Sequence, residues 1–155
     1  MARYPILVIW GKSFTGKTEF AHSLFKKALE LKLGALTHFP EKMRQFDNDV
    51  HDGIILDDVR DLNFCSEHQD KLQGKYSGSV EFASTAGGTC AFEADLFAVP
   101  FVVTVNDSTR NLAFLDTHDW LGLQKNRVVL HWPPPGWQAG EAAPADELAT
   151  ELACA

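Results

Sequence analysis

Long apolar runs are missing from this 155-residue chain, and none approaches the ~20 residues a membrane-spanning helix needs. No signal-peptide pattern precedes the first apolar segment. These absences predict a protein of the cytoplasm or nucleus with no membrane partner. Cysteine is scarce: Cys65, Cys90 and Cys154 are scattered and odd in number. That argues against a disulfide framework and for a reducing compartment. The six histidines show no metal-ligand spacing, and there is no internal repeat. Positive charge is short as well. The formal net charge is -7, and no Lys or Arg occurs from Val128 onward, where Glu141, Asp146, Glu147 and Glu151 stand. Free duplex-binding domains are usually basic. Any nucleic-acid contact must therefore be local or built by several subunits.

What is present fits one globular domain large enough for a real core, with 45% apolar and 23% charged residues. Its most informative stretch is "LVIWGKSFTGKTEF". The spacing G-x-x-x-x-G-K-[ST] is met by Gly11, Lys12, Ser13, Phe14, Thr15, Gly16, Lys17 and Thr18. Glycines let a loop curl until successive N–H groups cradle phosphate oxygens. Lys17 is placed to reach the β- and γ-phosphates of ATP, and the Thr18 hydroxyl to ligate Mg2+. The flanks agree. Ile6 to Trp10 is an apolar run of strand length, suited to a parallel strand buried on both faces. Phe20, Ala21, Leu24, Phe25, Ala28 and Leu29 recur at helical spacing, predicting a helix from Thr18 to about Leu33 with Gly34 as its C-cap. Such a helix would add its dipole to the anion site.

Three further apolar runs follow. Gly53 to Leu56 ends in Asp57-Asp58, an acidic pair that can orient a metal shell and polarise a water, though a solvated strand end carries such pairs too. Phe101 to Val105 ends in Asn106, on the face where open α/β sheets bind ligands; a turn-forming Asn-Asp is the plainer reading. Arg127 to Trp132 closes the sheet, and a weak strand over Ala35 to His38 makes five. The predicted fold class is therefore α/β, with a central, mostly parallel five-stranded sheet. Between the second and third main runs, "GKYSGSVEFASTAGGTCAF" alternates Val80 and Phe82 before Ala86-Gly87-Gly88, which predicts an inserted β-hairpin. Residues 1–132 read as the domain. Residues 133–155 read as a Pro-rich linker and an acidic Ala-rich tail, either a short exposed helix or disordered.

The order of these motifs resembles the helicase domain of Rep proteins, the replication initiators of circular single-stranded DNA viruses. Their ATPase half belongs to the superfamily 3 helicases. The likeness runs from about Tyr4 to Trp132 and rests on "DGIILDD", "KYSGSVEF" with "GGT", "VPFVVTVN" and "NRVVLHW" beside the phosphate loop. It implies an AAA+-like P-loop NTPase fold, ATP and Mg2+ as cofactors, and a homo-oligomeric ring, commonly a hexamer, moving on single-stranded DNA. By position, Lys17 and Thr18 correspond to the Walker A pair. Asp57 corresponds to the metal-site acid (Walker B), Asp58 to the water-activating acid and Asn106 to the polar sensor. Arg127 corresponds to an arginine that reaches a neighbour's nucleotide.

Two departures stand out. The Gly-Gly turn of the expected hairpin, Ser84 to Thr89, carries no lysine with which to grip a phosphate backbone. No nicking half precedes the first strand, so nicking is not expected of this chain. Other readings remain beside the helicase: a small P-loop kinase, which would want a more arginine-rich lid, or a nucleotide-binding module that is no longer a motor. RNA in place of DNA fits the motif order equally.

Overall fold

The computed structural model describes residues 5–32, 39–72, 79–83, 91–107, 113–116 and 127–136. The apolar runs become strands β1 (Ile6–Gly11), β3 (Gly53–Asp57), β6 (Phe101–Asn106) and β7 (Arg127–His131). With β2 (Ala28–Lys32) they form a five-stranded sheet in the order β2-β3-β6-β1-β7, and every neighbouring pair is parallel. The sheet is covered on both faces, which is why its inner strands read as unbroken apolar runs rather than as alternation. On one face Ile6, Val8, Ile54, Leu56, Val103 and Val105 pack against the short helices α2 (Phe39–Met43), α3 (Asn63–Glu67) and α4 (Gln69–Leu72). On the other, Leu7, Ile9, Ile55 and Val102 meet helix α1 (Lys17–Ser23) and Trp132. A separate antiparallel pair, β4 (Ser79–Phe82) with β5 (Phe92–Asp95), lies in sequence between β3 and β6. Phe82 of this pair is buried on the first face and stacks on Phe92 at 5.3 Å. The expected turn at Ala86-Gly87-Gly88 lies outside the described residues.

One expectation is corrected. The helix does not run to Leu33 but ends at Ser23 after seven residues, and Ala28–Lys32 is a strand. Ser23 turns its hydroxyl back onto the Phe20 carbonyl at 2.7 Å, a side-chain bond of the kind that competes with the helical ladder. The apolar spacing over Ala28 to Leu31 satisfies both periods, so local pattern does not separate them. The ladder to β3, Ala28 opposite Gly53 through Lys32 opposite Asp57, selects the extended form. Leu29 and Leu31 are then buried on the same face. The fifth strand is thus β2. The expected strand over Ala35 to His38, and Gly34, lie outside the described residues.

Candidate functional site

Because the five strands are parallel, their carboxyl ends lie along one edge of the sheet, where open α/β folds bind ligands. At that edge Gly11 of β1 stands opposite Asn106 of β6, and the Asp107 N–H donates to the Gly11 carbonyl at 2.9 Å. Residues 12–16 then loop from β1 into α1. Gly16 caps the helix in the left-handed region, at φ 83°, a conformation glycine adopts without a Cβ clash. Gly11 is required for a different reason. A Cβ there would lie 1.9 Å from the carbonyl oxygen of Trp132, which is backbone and cannot swing aside.

Trp132 is a residue that motif reasoning missed. It is buried, stacks on Phe20 of α1 at 4.1 Å, and donates its indole N–H to the Thr15 carbonyl at 2.9 Å. Its backbone N–H donates to Trp10, continuing the ladder beyond β7. The loop is therefore braced from behind by the segment that follows the last strand. Inside the loop, the Thr15 hydroxyl donates to the Lys12 carbonyl at 2.8 Å. Lys12, Ser13 and Phe14 are exposed at its tip, Phe14 fully so and with φ 61°.

Lys17 is 7% exposed. Its ammonium donates to the carbonyls of Gly11 at 3.0 Å and Lys12 at 2.6 Å, and to Asn106 Oδ1 at 3.2 Å. An ammonium has three donors, and all three are engaged. Burial lowers the Lys17 pKa below its usual range, while the charges of Asp58 and Asp57 oppose that shift. The Asn106 amide turns its other end to Asp58, donating from Nδ2 to Oδ1 at 2.6 Å. Lysine only donates and an ionised carboxylate only accepts, so these two partners fix which way the amide points. Asn106 is a bridge between the loop lysine and the second acid, not a turn residue capping its own backbone.

The first acid is held from two sides. Thr18 donates its hydroxyl to Asp57 Oδ1 at 2.7 Å, and Thr104 of β6 donates to the same oxygen at 2.8 Å. Thr104 was not singled out by sequence. Its signal was there to be read, as the one polar residue inside the buried run Phe101 to Val105. The structure thus brings together Gly11, Lys17, Thr18, Asp57, Asp58 and Asn106. It does not bring Arg127 to them. Arg127 opens β7 opposite Ile6, at the other end of the sheet. Ile6 and Gly11 are five residue steps apart along β1, or ~16 Å at the usual rise per residue.

Elsewhere, Cys65 is buried, and burial with the nearby Asp61 charge pushes its thiol up to about 12, so it is no nucleophile. Among the described residues no group of three or more His, Cys, Asp or Glu side chains could cage a metal ion. Nor is any described helix long and apolar enough to cross a membrane. No family model matches the chain, and no curated protein matches it.

Proposed function

We propose that the chain is a P-loop nucleoside triphosphatase of the superfamily 3 helicase type, binding ATP with Mg2+ at the loop from Gly11 to Thr18. One observation carries this reading: the chain of bonds Lys17–Asn106–Asp58 beside the pair Thr18–Asp57. A cation, a sensor amide, two carboxylates and a hydroxyl come from segments up to 89 residues apart and meet at one sheet edge. A structural turn has no need of that set.

The residues fit the cofactors. Thr18 directs its hydroxyl proton at Asp57, which leaves the oxygen's lone pairs for a cation. Magnesium typically takes only one or two protein oxygens and fills the rest of its shell with phosphate and water, so a caged site is not needed. When bound, the ion would neutralise charge developing on the phosphates. Lys17 would give up a loop carbonyl to hold the β- and γ-phosphate oxygens. Asp58 would accept a proton from the attacking water, and Asn106 would orient that water or register the γ-phosphate. Arg127 would act in a neighbouring subunit of a ring, and hydrolysis would drive movement on single-stranded DNA or RNA.

Nucleotide titration with Lys17→Ala should show binding lost while the fold persists. Asp58→Asn should keep ATP bound yet turn over about 10²-fold more slowly, the usual scale of a lost general base. Unchanged affinity in the first variant, or a near-native single-turnover rate in the second, removes the assignment.

A second reading is favoured by the β4–β5 pair. Neither strand carries a Lys or Arg, and Glu81 stands directly opposite Glu93. Like charges at that pairing repel each other and any phosphate backbone. A nucleotide-switched module without a nucleic-acid track would tolerate such a surface. Turnover measured with and without single-stranded DNA at low salt separates the two: stimulation supports the motor, indifference the module.

A further inference from the structure

We infer that Thr104 is a positioning residue for the acidic pair, a role that rests on the nucleotide-hydrolysis reading above. Thr104, 2% exposed, is the one polar residue in the run Phe101 to Val105 of β6. Its hydroxyl makes two bonds at once, donating to Asp57 Oδ1 at 2.8 Å and accepting the Asp58 backbone N–H at 2.9 Å. The Thr104 carbonyl accepts the next N–H, that of Val59, at 3.0 Å. One residue therefore holds three consecutive positions at the end of β3.

That end requires holding. Asp58 has φ 54°, in the left-handed region that residues with a side chain adopt only where their surroundings hold them there. This conformation turns the chain sharply after Asp57, so that adjacent acids face different partners: Asp57 towards Thr18 and Thr104, Asp58 towards Asn106. An extended strand would send the two side chains to opposite faces of the sheet. Without the Thr104 hydroxyl, the Asp58 N–H loses this acceptor, and Asp57 Oδ1 keeps only Thr18. The carboxylates would stay present but no longer be aimed. Misplacement of a catalytic group by about 1 Å can cost on the order of 10²-fold in rate.

Thr104→Val keeps the branched shape and removes the hydroxyl, while Thr104→Ser keeps the hydroxyl and removes a methyl. The expected result for Val is kcat down about tenfold to a hundredfold, with nucleotide affinity within a few-fold of the parent. Faster hydrogen exchange at the Asp58 amide should accompany it. Ser should restore both the rate and the amide protection. If Val does not fold, Thr104→Cys, a weak donor, takes its place with the same expectation. A kcat for Val close to the parent's, or equal losses in Val and Ser, overturns the inference and leaves Thr104 a packing residue. Should the unmodified protein neither bind nor hydrolyse nucleotide, the hydrolysis reading fails by itself. The exchange measurement then decides Thr104 alone: Asp58 protection lost in Val and kept in Ser supports the clamp, and protection kept in Val ends it.

Discussion

Phe14 is the most exposed large apolar side chain described, and its φ of 61° lies where glycine is at ease and a β-carbon is not. The ring buries nothing, so its removal forfeits no hydrophobic free energy. Left-handed backbone costs an L-residue about 1–2 kcal/mol, and glycine returns roughly 0.4–1 kcal/mol of that through its freer unfolded chain. Phe14→Gly should therefore stabilise the fold by about 0.5–1 kcal/mol, read as a higher urea midpoint at unchanged slope. A lower midpoint would mean that the ring makes a contact its exposure does not reveal. The neighbouring positions obey other constraints. Gly11 is excluded from bearing a side chain by the Trp132 carbonyl, and Lys17 is held by three acceptors rather than by packing alone.

At the scale of elements, the pairing of β2 with β3 begins at a carboxylate. Asp52, just before β3, accepts the backbone N–H groups of Lys26 at 2.7 Å and Lys27 at 3.0 Å, just before β2. Asp52 also donates its own N–H to the Lys27 carbonyl at 3.1 Å. Burial pushes the Asp52 pKa up, but the Lys26 and Lys27 N–H groups and the Lys26 charge outweigh it, and the net value lies below the ordinary 3.8. A carboxylate with a depressed native pKa stabilises the fold at pH values above its unfolded pKa. That stability is lost as pH falls through the lowered native value. Asp52→Ala should cost about 0.5–1 kcal/mol near neutral pH, the low end for bonds to a charged group because the site is exposed. The gap between variant and parent should narrow in acid, below about pH 3.8. Urea midpoints collected from neutral pH downward test this, and a gap that stays constant assigns the effect to packing.

For the whole molecule, the parallel sheet sets a polarity that the active-site proposal must respect. The loop, both acids and Asn106 occupy the carboxyl edge, whereas Arg127 stands at the opposite end of edge strand β7. Within one subunit it is too far to meet a nucleotide held at the loop. Among the described residues β7 is paired on one side only, so a head-to-tail neighbour could receive Arg127 there, and repetition of that contact gives a ring where its rotation closes. Turnover per subunit should then rise with protein concentration, and Arg127→Ala should abolish the rise without weakening ATP binding. Mixing Arg127→Ala with Lys17→Ala subunits should recover part of the activity, because intact half-sites meet at some interfaces. Specific activity that is flat with concentration in a monomeric protein removes Arg127 from the mechanism.

Much of this architecture was legible in one dimension. Strands buried on both faces write themselves as continuous apolar runs, and β1, β3 and β6 were read that way; edge strand β7, half-buried to exposed along its length, was also read from its apolar run. Gly11, Lys17, Thr18, Asp57, Asp58 and Asn106 were legible because each stands at the end of an apolar run or in the glycine-spaced segment directly behind one, where a parallel sheet gathers polar groups. What escaped depends on contacts between distant segments. The stretch from Ala28 to Leu31 fits helix and strand periods alike, and only the ladder to β3 chose between them. Thr104 looks like any β-branched strand residue until β3 lies beside β6 and places two acids at its hydroxyl. Trp132 reads as the last aromatic before three prolines, yet it braces the loop that begins 121 residues earlier in the chain, at Gly11. Composition and spacing specify which groups are available. Their aim is set by the backbone hydrogen bonds that bring the strand ends to one edge, and those form only in the folded chain.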